Sequence, residues 1–428
     1  MTPADALISR QRKHLFYPWS VQSTAKPISL DGAKGVYLKS LDGQPVLDFN
    51  SAIFNANLGH AHSGIQKAMM AACADPKVGH PALLDEQKAR LGENLARIAP
   101  GDLNKTFLTM GGAEANENAI KIARLVTGRH KVMTRYRSYH GATLATIGYS
   151  GDYRRIPFDN TVTGVVRFPD PYPRGSGQVI DTVRLLEEMI EIEGPETIAC
   201  ILLEGVTGAN GVFIPPRDYW KRIRELCDRF GILLIADEVM SGFGRTGKWF
   251  AVDHFGVVPD MITIGKGLTG GYAPLAGVIV SDAIANKFEH EMLWCGLTHY
   301  AHPFCCAVAN AAIEAYESEG LLENAHQRGL ELKSLLEKMQ KANPNIAEVR
   351  SIGLLAAIDL KDFVSYRATG AELAKASKLQ TLLWDAGVYC TVRFGMLVLA
   401  PPLCITQHEL EEGLKRISLV LRDLADIE

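Results

Sequence analysis

The chain has 428 residues, 47% hydrophobic and 22% charged, with a formal net charge of −3. That length suits one large domain plus a smaller one, and the apolar share is enough for a sizeable core. The near-neutral balance argues against nucleic acid or a membrane as a partner, and no apolar run approaches the length of a membrane span. The eight cysteines form no Cys-x-x-Cys pair, and the vicinal Cys305 and Cys306 are ill placed to bridge each other. They read as reduced, mostly buried thiols. The N-terminus lacks the apolar core of a secretory signal, so the expected compartment is the cytoplasm.

Residues 1–30 predict a helix followed by an aromatic loop, Phe16-Tyr-Pro-Trp-Ser20. Residues 35–48 predict a hairpin turned at Asp42-Gly43, a favoured turn pair. From about 60 to 325, helical patterns alternate with short apolar runs. Residues 114–124 read as a helix and 197–203 as a strand. Residues 219–230 form an amphipathic helix closed by Gly231, and a further strand starts at Ile232. Such βα alternation predicts a mostly parallel sheet covered on both faces. One long helix is expected over roughly 305–340. A strand within 346–360, a second at Met396–Ala400 and helices near 370–386 and 407–425 complete the alternation.

Three side chains fall at predicted strand ends, where ligands of such sheets tend to bind: Glu204, Asp237 and Lys266. Asp237 follows Ile-Leu-Leu-Ile-Ala, where burial favours the neutral acid unless a cation is paired with it. Lys266 lies between an apolar run and Gly-Leu-Thr-Gly-Gly. A pyridoxal phosphate (PLP) enzyme needs this pair, a lysine for the Schiff base and an acid for the pyridinium nitrogen. Thr109-Met-Gly-Gly-Ala-Glu114 opens the helix at 114. Bare amides there form an anion site, although Gly-Gly before a helix is also an ordinary turn. Tyr139 follows another short strand and offers a ring for stacking, or simply a packed tyrosine.

Two patterns point elsewhere. Gly242-Phe-Gly-Arg-Thr-Gly-Lys248 satisfies Gly-x-Gly-x-x-Gly and the first seven positions of a P-loop. However, Trp249 stands where a magnesium-binding hydroxyl belongs, and a poor helix opening follows. His60, His62, His299 and His302 lack a third ligand at a recognised spacing, and no metal site is expected.

The residues Gly-Gly-Ala-Glu-Ala-Asn-Glu-Asn-Ala at 111–119, Tyr-His-Gly at 139–141, Ala-Asp-Glu-Val at 236–239 and Gly-Phe-Gly-Arg-Thr-Gly at 242–247 occur in order. They are followed by Gly-Lys-Gly-Leu-Thr-Gly-Gly at 265–271, Gly-Leu-Thr at 296–298 and His-Pro at 302–303. In these motifs the chain resembles the class III (omega) aminotransferases, PLP-dependent enzymes of fold type I. The likeness runs from the Trp19 loop to Pro401 and Pro402. It implies an α/β fold with a mostly parallel large-domain sheet, helices on both faces and a smaller α/β domain. The implied division is an N-terminal segment 1–59 joining the small domain, a PLP-binding domain 60–325 and a small domain 326–428.

The resemblance also implies roles. Lys266 carries the cofactor and shuttles the proton, Asp237 pairs with the pyridine nitrogen, and Val239 and Tyr139 cover the two ring faces. The Gly112 and Ala113 amides bind the phosphate, Glu204 touches the cofactor, and Thr298 reaches the phosphate of a neighbouring subunit. The implied partners are an amine donor, an oxo acid such as pyruvate or 2-oxoglutarate, and a second copy of the chain in a homodimer or dimer of dimers. The sequence departs from the family at Glu204-Gly-Val-Thr207, where Glu-Pro-Val-Gln is common, and at Val392, where many members carry a carboxylate-binding arginine. Arg393 follows one residue later and is a candidate for that role, with Trp19, Phe54 and Trp294 as candidate pocket rings. The pattern is similar to the taurine or beta-amino acid subgroup, acting on a terminal or beta amine. The alternatives are an aminomutase, racemase or decarboxylating relative, and a nucleotide-dependent enzyme using the loop 242–248.

Overall fold

The computed structural model describes residues 3–25, 27–172, 180–361, 370–393 and 395–423. At its centre is a seven-stranded sheet. Its order is Leu103–Thr109, Ala276–Ser281, Met261–Ile264, Leu233–Asp237, Ile198–Glu204, Lys131–Arg135 and Val165–Phe168. Ala276–Ser281 runs antiparallel to both neighbours, and the remaining pairings are parallel. The interior strand Ile198–Glu204 is buried along its whole length, as a strand covered on both faces must be.

Helices cover the faces as the periodicity predicts. Gly112–Thr127 turns Ala115, Ala119, Ile122 and Ala123 inward, and ends on left-handed Gly128. Tyr219–Phe230 buries Trp220, Ile223, Leu226 and Cys227 and stops at Gly231 (φ 62°), which delivers the chain directly into Leu233–Asp237. The N-terminal helix Pro3–His14 and the hairpin of Tyr37–Ser40 with Pro45–Asp48 also match expectation.

Two readings change. The single helix expected over 305–340 is two, Pro303–Ser318 and Leu321–Ala342. Gly320, at φ 62°, breaks the ladder, and its left-handed backbone costs glycine least. The stretch 346–360 holds two strands rather than one, Ile346–Ile352 and Leu355–Leu360, folded back on each other around Gly353. These two join Met396–Leu399 and Thr391–Arg393 in a second, four-stranded sheet. A short strand, Val388–Tyr389, pairs in parallel with Pro45–Asp48, so the N-terminal hairpin is stitched to the C-terminal region. Helices Gly370–Asp385 and Gln407–Arg422 lie where the sequence placed them.

Candidate active site

Glu204 and Asp237 are register partners at the carboxyl ends of adjacent parallel strands, and Asp237 is likewise paired with Thr263. Partners in register point to one face, so both carboxylates emerge together. Asp237 is only 4% exposed, and three donors fix it. Its Oδ2 accepts from Asn116 Nδ2 at 2.8 Å and His140 Nδ1 at 2.8 Å, and its Oδ1 accepts from the Val239 amide at 3.1 Å. Asn116 is itself held by Thr263 Oγ1 at 2.8 Å. A carboxylate offers about four acceptor sites. Oδ2 is used twice and Oδ1 once, which leaves one Oδ1 lone pair for a further N–H donor.

Glu204 has no such support. Its Oε1 accepts from the Gly208 amide at 3.2 Å, and its Oε2 has no partner among the described residues. Burial, partly countered by His140 and Arg135, pushes the carboxyl up to about 7. Lys266 follows the strand Met261–Ile264 with φ 44°, a left-handed backbone that strains a residue with a side chain. Burial lowers its pKa, while Asp237 and Glu204 act to raise it. A lysine depressed in this way carries more free amine near neutral pH than a surface lysine, and only the free amine attacks a carbonyl or takes a proton.

These groups open into a cavity of about 1410 Å³, lined also by Gly112, Ala113, Tyr139, Val239, Trp19, Phe54 and Arg393. The helix beginning at Gly112 has no side-chain cap, so its first amides face outward with the dipole behind them. Gly112 cannot be larger here, because a Cβ would sit 2.7 Å from Val239 Cγ1. The sequence candidates therefore converge, with two exceptions. Trp294 is 68% exposed and Thr298 is also exposed, and neither lines this cavity of its own chain.

The sequence reading missed a charged cluster on the cavity wall. Buried Asp152 accepts from Arg154 Nε at 2.9 Å and Nη2 at 3.0 Å, and from Arg393 Nη2 at 2.6 Å. Burial works to raise the Asp152 carboxyl, yet the two guanidiniums outweigh it and hold it below its ordinary range. The Arg154 guanidinium lies 4.0 Å from the Tyr139 ring centroid and 4.7 Å from that of Trp19. No spacing rule flags Asp152-Tyr-Arg154 at the start of the short 3-10 helix Tyr153–Phe158. His140 and Asn116 sat inside motifs already noted, but nothing in the sequence said they would reach Asp237. At the altered strand-end motif, the Thr207 hydroxyl accepts from the buried Arg135 Nη2 at 3.1 Å.

The glycine loop 242–247 is no phosphate cradle. Its amides are consumed internally, with Phe243 donating to the Trp249 carbonyl at 2.7 Å and Gly244 to that of Lys248 at 3.1 Å. Three of the four histidines are also occupied: His60 pairs with Asp48 at 2.7 Å, His62 with Glu319 at 2.9 Å, and His302 caps the helix Pro303–Ser318.

The family model "Aminotransferase class-III" matches residues 19–421. The chain is a class III aminotransferase. It is 35% identical over 412 residues to 5-aminovalerate aminotransferase DavT of Pseudomonas putida, covering 93% of this chain and 94% of that one. Its fold superposes on taurine:2-oxoglutarate aminotransferase from Bifidobacterium kashiwanohense, solved in complex with PLP and glutamate, with a TM-score of 0.93. The identity is 36%, and 98% of each chain is covered. An (S)-enantioselective omega-transaminase from Thermomicrobium roseum gives a TM-score of 0.92 at 32% identity, over 99% of each chain. This aminotransferase thus has the fold type I architecture and the omega-aminotransferase activity of its family, with PLP as cofactor. The residues fit that group: a buried carboxylate with a lone pair to spare, uncapped amides at a helix start, and a desolvated lysine, all on one cavity.

Proposed function

We propose that this aminotransferase takes its amino group from a terminal or beta amine that carries an acidic group at its far end, a beta-amino acid or an aminosulfonate. The carrying observation is the segregation of charge in the cavity. Lys266, Asp237 and Glu204 occupy the strand ends, Arg154 and Arg393 share Asp152 on the wall, and Trp19, Phe54, Ile156 and Phe158 add an apolar lining. A donor with an amine at one end and an anion at the other matches both poles. The acceptor in this reading is an oxo acid, pyruvate or 2-oxoglutarate.

When bound, PLP supplies an electron sink for the carbanion formed at the substrate carbon. Lys266 would be the attachment point, and its amine would be the base that moves the proton. Asp237, with its remaining Oδ1 lone pair, would accept from the pyridine N–H and favour the charged nitrogen. Val239 and Tyr139 would bracket the ring, the amides of Gly112 and Ala113 would hold the phosphate, and Glu204 lines the same cavity. Arg154 and Arg393 orient the acidic end.

Thr298 and Trp294, exposed in the single chain, act in this reading in a partner's cavity, so the working unit is a homodimer or a dimer of dimers. Residues 1–59 join a small domain at 326–428, and 60–325 hold the cofactor. The pairing of Val388–Tyr389 with Pro45–Asp48 supports that division. The cytoplasm is the proposed compartment.

The test is a visible spectrum of the purified holoenzyme, recorded with beta-alanine, taurine and n-propylamine added singly and without acceptor. Conversion to the pyridoxamine form by beta-alanine or taurine, and slowly if at all by n-propylamine, is expected. Equal conversion by all three would remove the acidic-donor reading. Sedimentation at a multiple of 46.8 kDa checks the assembly.

A further inference from the structure

The loop 242–247 gave the sequence its strongest false lead, and neither phosphate binding nor the cavity accounts for it. Its side chains converge instead on the turn that carries Lys266. Arg245 is completely buried. Its Nη1 donates to the carbonyls of Leu354 at 3.1 Å and Pro401 at 2.5 Å, and its Nη2 to Ser51 Oγ at 3.0 Å and Asn57 Oδ1 at 2.8 Å. Asn57 in turn donates to the Phe243 carbonyl at 2.9 Å. It also lies against Gly267, where a Cβ would meet its Nδ2 at 2.6 Å and Phe243 Cβ at 2.9 Å. The rings of Phe243 and Trp249 pack on Tyr316, with centroids 6.2 and 5.9 Å away. The Tyr316 hydroxyl donates to the Gly267 carbonyl at 2.6 Å.

Gly267 is the residue after Lys266, and Lys266 is the residue whose φ of 44° an ordinary side chain avoids. Such strain persists only where the surroundings over-determine it. Here a buried donor grips one peptide unit away, and its ring is wedged by the glycine loop. Left alone, that turn relaxes and the amine moves off its aim, a displacement that costs rate out of proportion to its size.

We propose that Tyr316, braced by Phe243, Trp249 and the Arg245–Asn57 pair, is a positioning residue that holds Lys266 in its strained, productive conformation. This rests on the reading of Lys266 as the cofactor-bearing lysine. The glycine loop, with Trp249 just after it, is the brace: together they bring an arginine and two aromatic rings to one place behind the active lysine.

The experiment is Tyr316→Phe in the holoenzyme, which removes one hydroxyl and keeps the ring. The lost hydrogen bond is expected to lower kcat about tenfold with little change in the donor's KM. The pH midpoint of the visible band of the lysine-bound cofactor should also move by about one unit. A lower melting temperature with an unmoved midpoint and kcat would make Tyr316 merely structural and overturn the proposal. Should the Phe variant not fold, Arg245→Lys loosens the same brace from its far end. It should move the midpoint in the same direction by less, and an unmoved midpoint overturns the idea equally. Borohydride reduction and peptide mapping separate the two layers. Label on Lys266 with unchanged Tyr316→Phe spectra defeats only this inference, whereas label on another lysine defeats the site reading as well.

Discussion

Asp237 and His140 meet at 2.8 Å, with both side chains almost wholly buried and the imidazole Nδ1 donating to Oδ2. The far ring nitrogen of His140 lies 3.3 Å from Thr134 Oγ1, so the ring is tethered at both ends. Together with Asn116, this consumes Oδ2 and leaves one lone pair on Oδ1 beside the Val239 amide. Replacing Asp237 by Asn keeps the shape and removes the charge. It should slow the half-reaction at least about a hundredfold and weaken PLP retention, as the loss of a charged, buried hydrogen bond to the reacting ring implies. His140→Asn is expected to cost less, about tenfold, because the carboxylate loses one orienting donor and keeps those from Asn116 and the Val239 amide. Stopped-flow spectra of the donor half-reaction check both. Equal rates for wild type and Asp237→Asn would remove Asp237 from the mechanism.

Glu204 gives a pH prediction of definite sign. Its folded pKa is raised from 4.5 to about 7, chiefly by burial. Between those values the folded chain binds the proton more tightly than the unfolded chain. The stability Glu204 contributes is therefore full below about 4.5, falls as pH rises through 7, and is flat above. Glu204→Gln removes the titration and still offers an oxygen to the Gly208 amide. The apo variant should gain on wild type as pH rises from 5 to 8, by about 1–3 kcal/mol in urea melts. Parallel curves across that range would show that Glu204 does not titrate there.

The contrast between these two acids shows what the sequence carried. An apolar run ending in acid, followed by another ending in lysine, is a local pattern. Register then does the rest, because neighbouring parallel strands put Glu204 beside Asp237 without further information. Helix Gly112–Thr127 and its glycines were legible for the same reason. The helix break at Gly320 was not, since a glycine at that position reads equally as a tolerated interior residue. Nor was the hairpin at Gly353, whose place is set by contact: a Cβ there would meet the Thr246 backbone at 2.3 Å. The Asp152 cluster lies further from any rule. It joins the start of the short 3-10 helix Tyr153–Phe158 to the strand Thr391–Arg393, and only the closed fold brings them within hydrogen-bonding distance.

Lys266→Ala separates the chemical classes that the sequence left open. The variant should lose covalently bound PLP and its activity together, at least about 10⁴-fold, since both the attachment and the proton transfer depend on that amine. A nucleotide enzyme working through residues 242–248 would keep its activity. The visible spectrum and a standard alanine-forming assay with pyruvate decide the matter. Retained turnover would contradict the role of Lys266.

Arg154 carries the specificity prediction. Its Nε and Nη2 are committed to Asp152, and Asp152 also holds Arg393, so one carboxylate faces two guanidiniums. The remaining Nη1 can donate to an anionic partner without breaking the clamp, and the Tyr139 and Trp19 rings keep the plane from swinging. That preorganisation is what makes a single charged contact count in binding. Arg154→Gln should reduce the ratio of kcat/KM for beta-alanine over n-propylamine by about 10–100-fold, the worth of a hydrogen bond to a charged group. Arg154→Lys keeps the charge but not the planar fork, and should recover only part of that loss. Taurine should follow beta-alanine in both variants, because a sulfonate presents the same oxygens to the same fork. A ratio that stays at the wild-type value would mean that Arg154 only braces Tyr139 and Trp19, and donor choice would then rest on other residues of the wall.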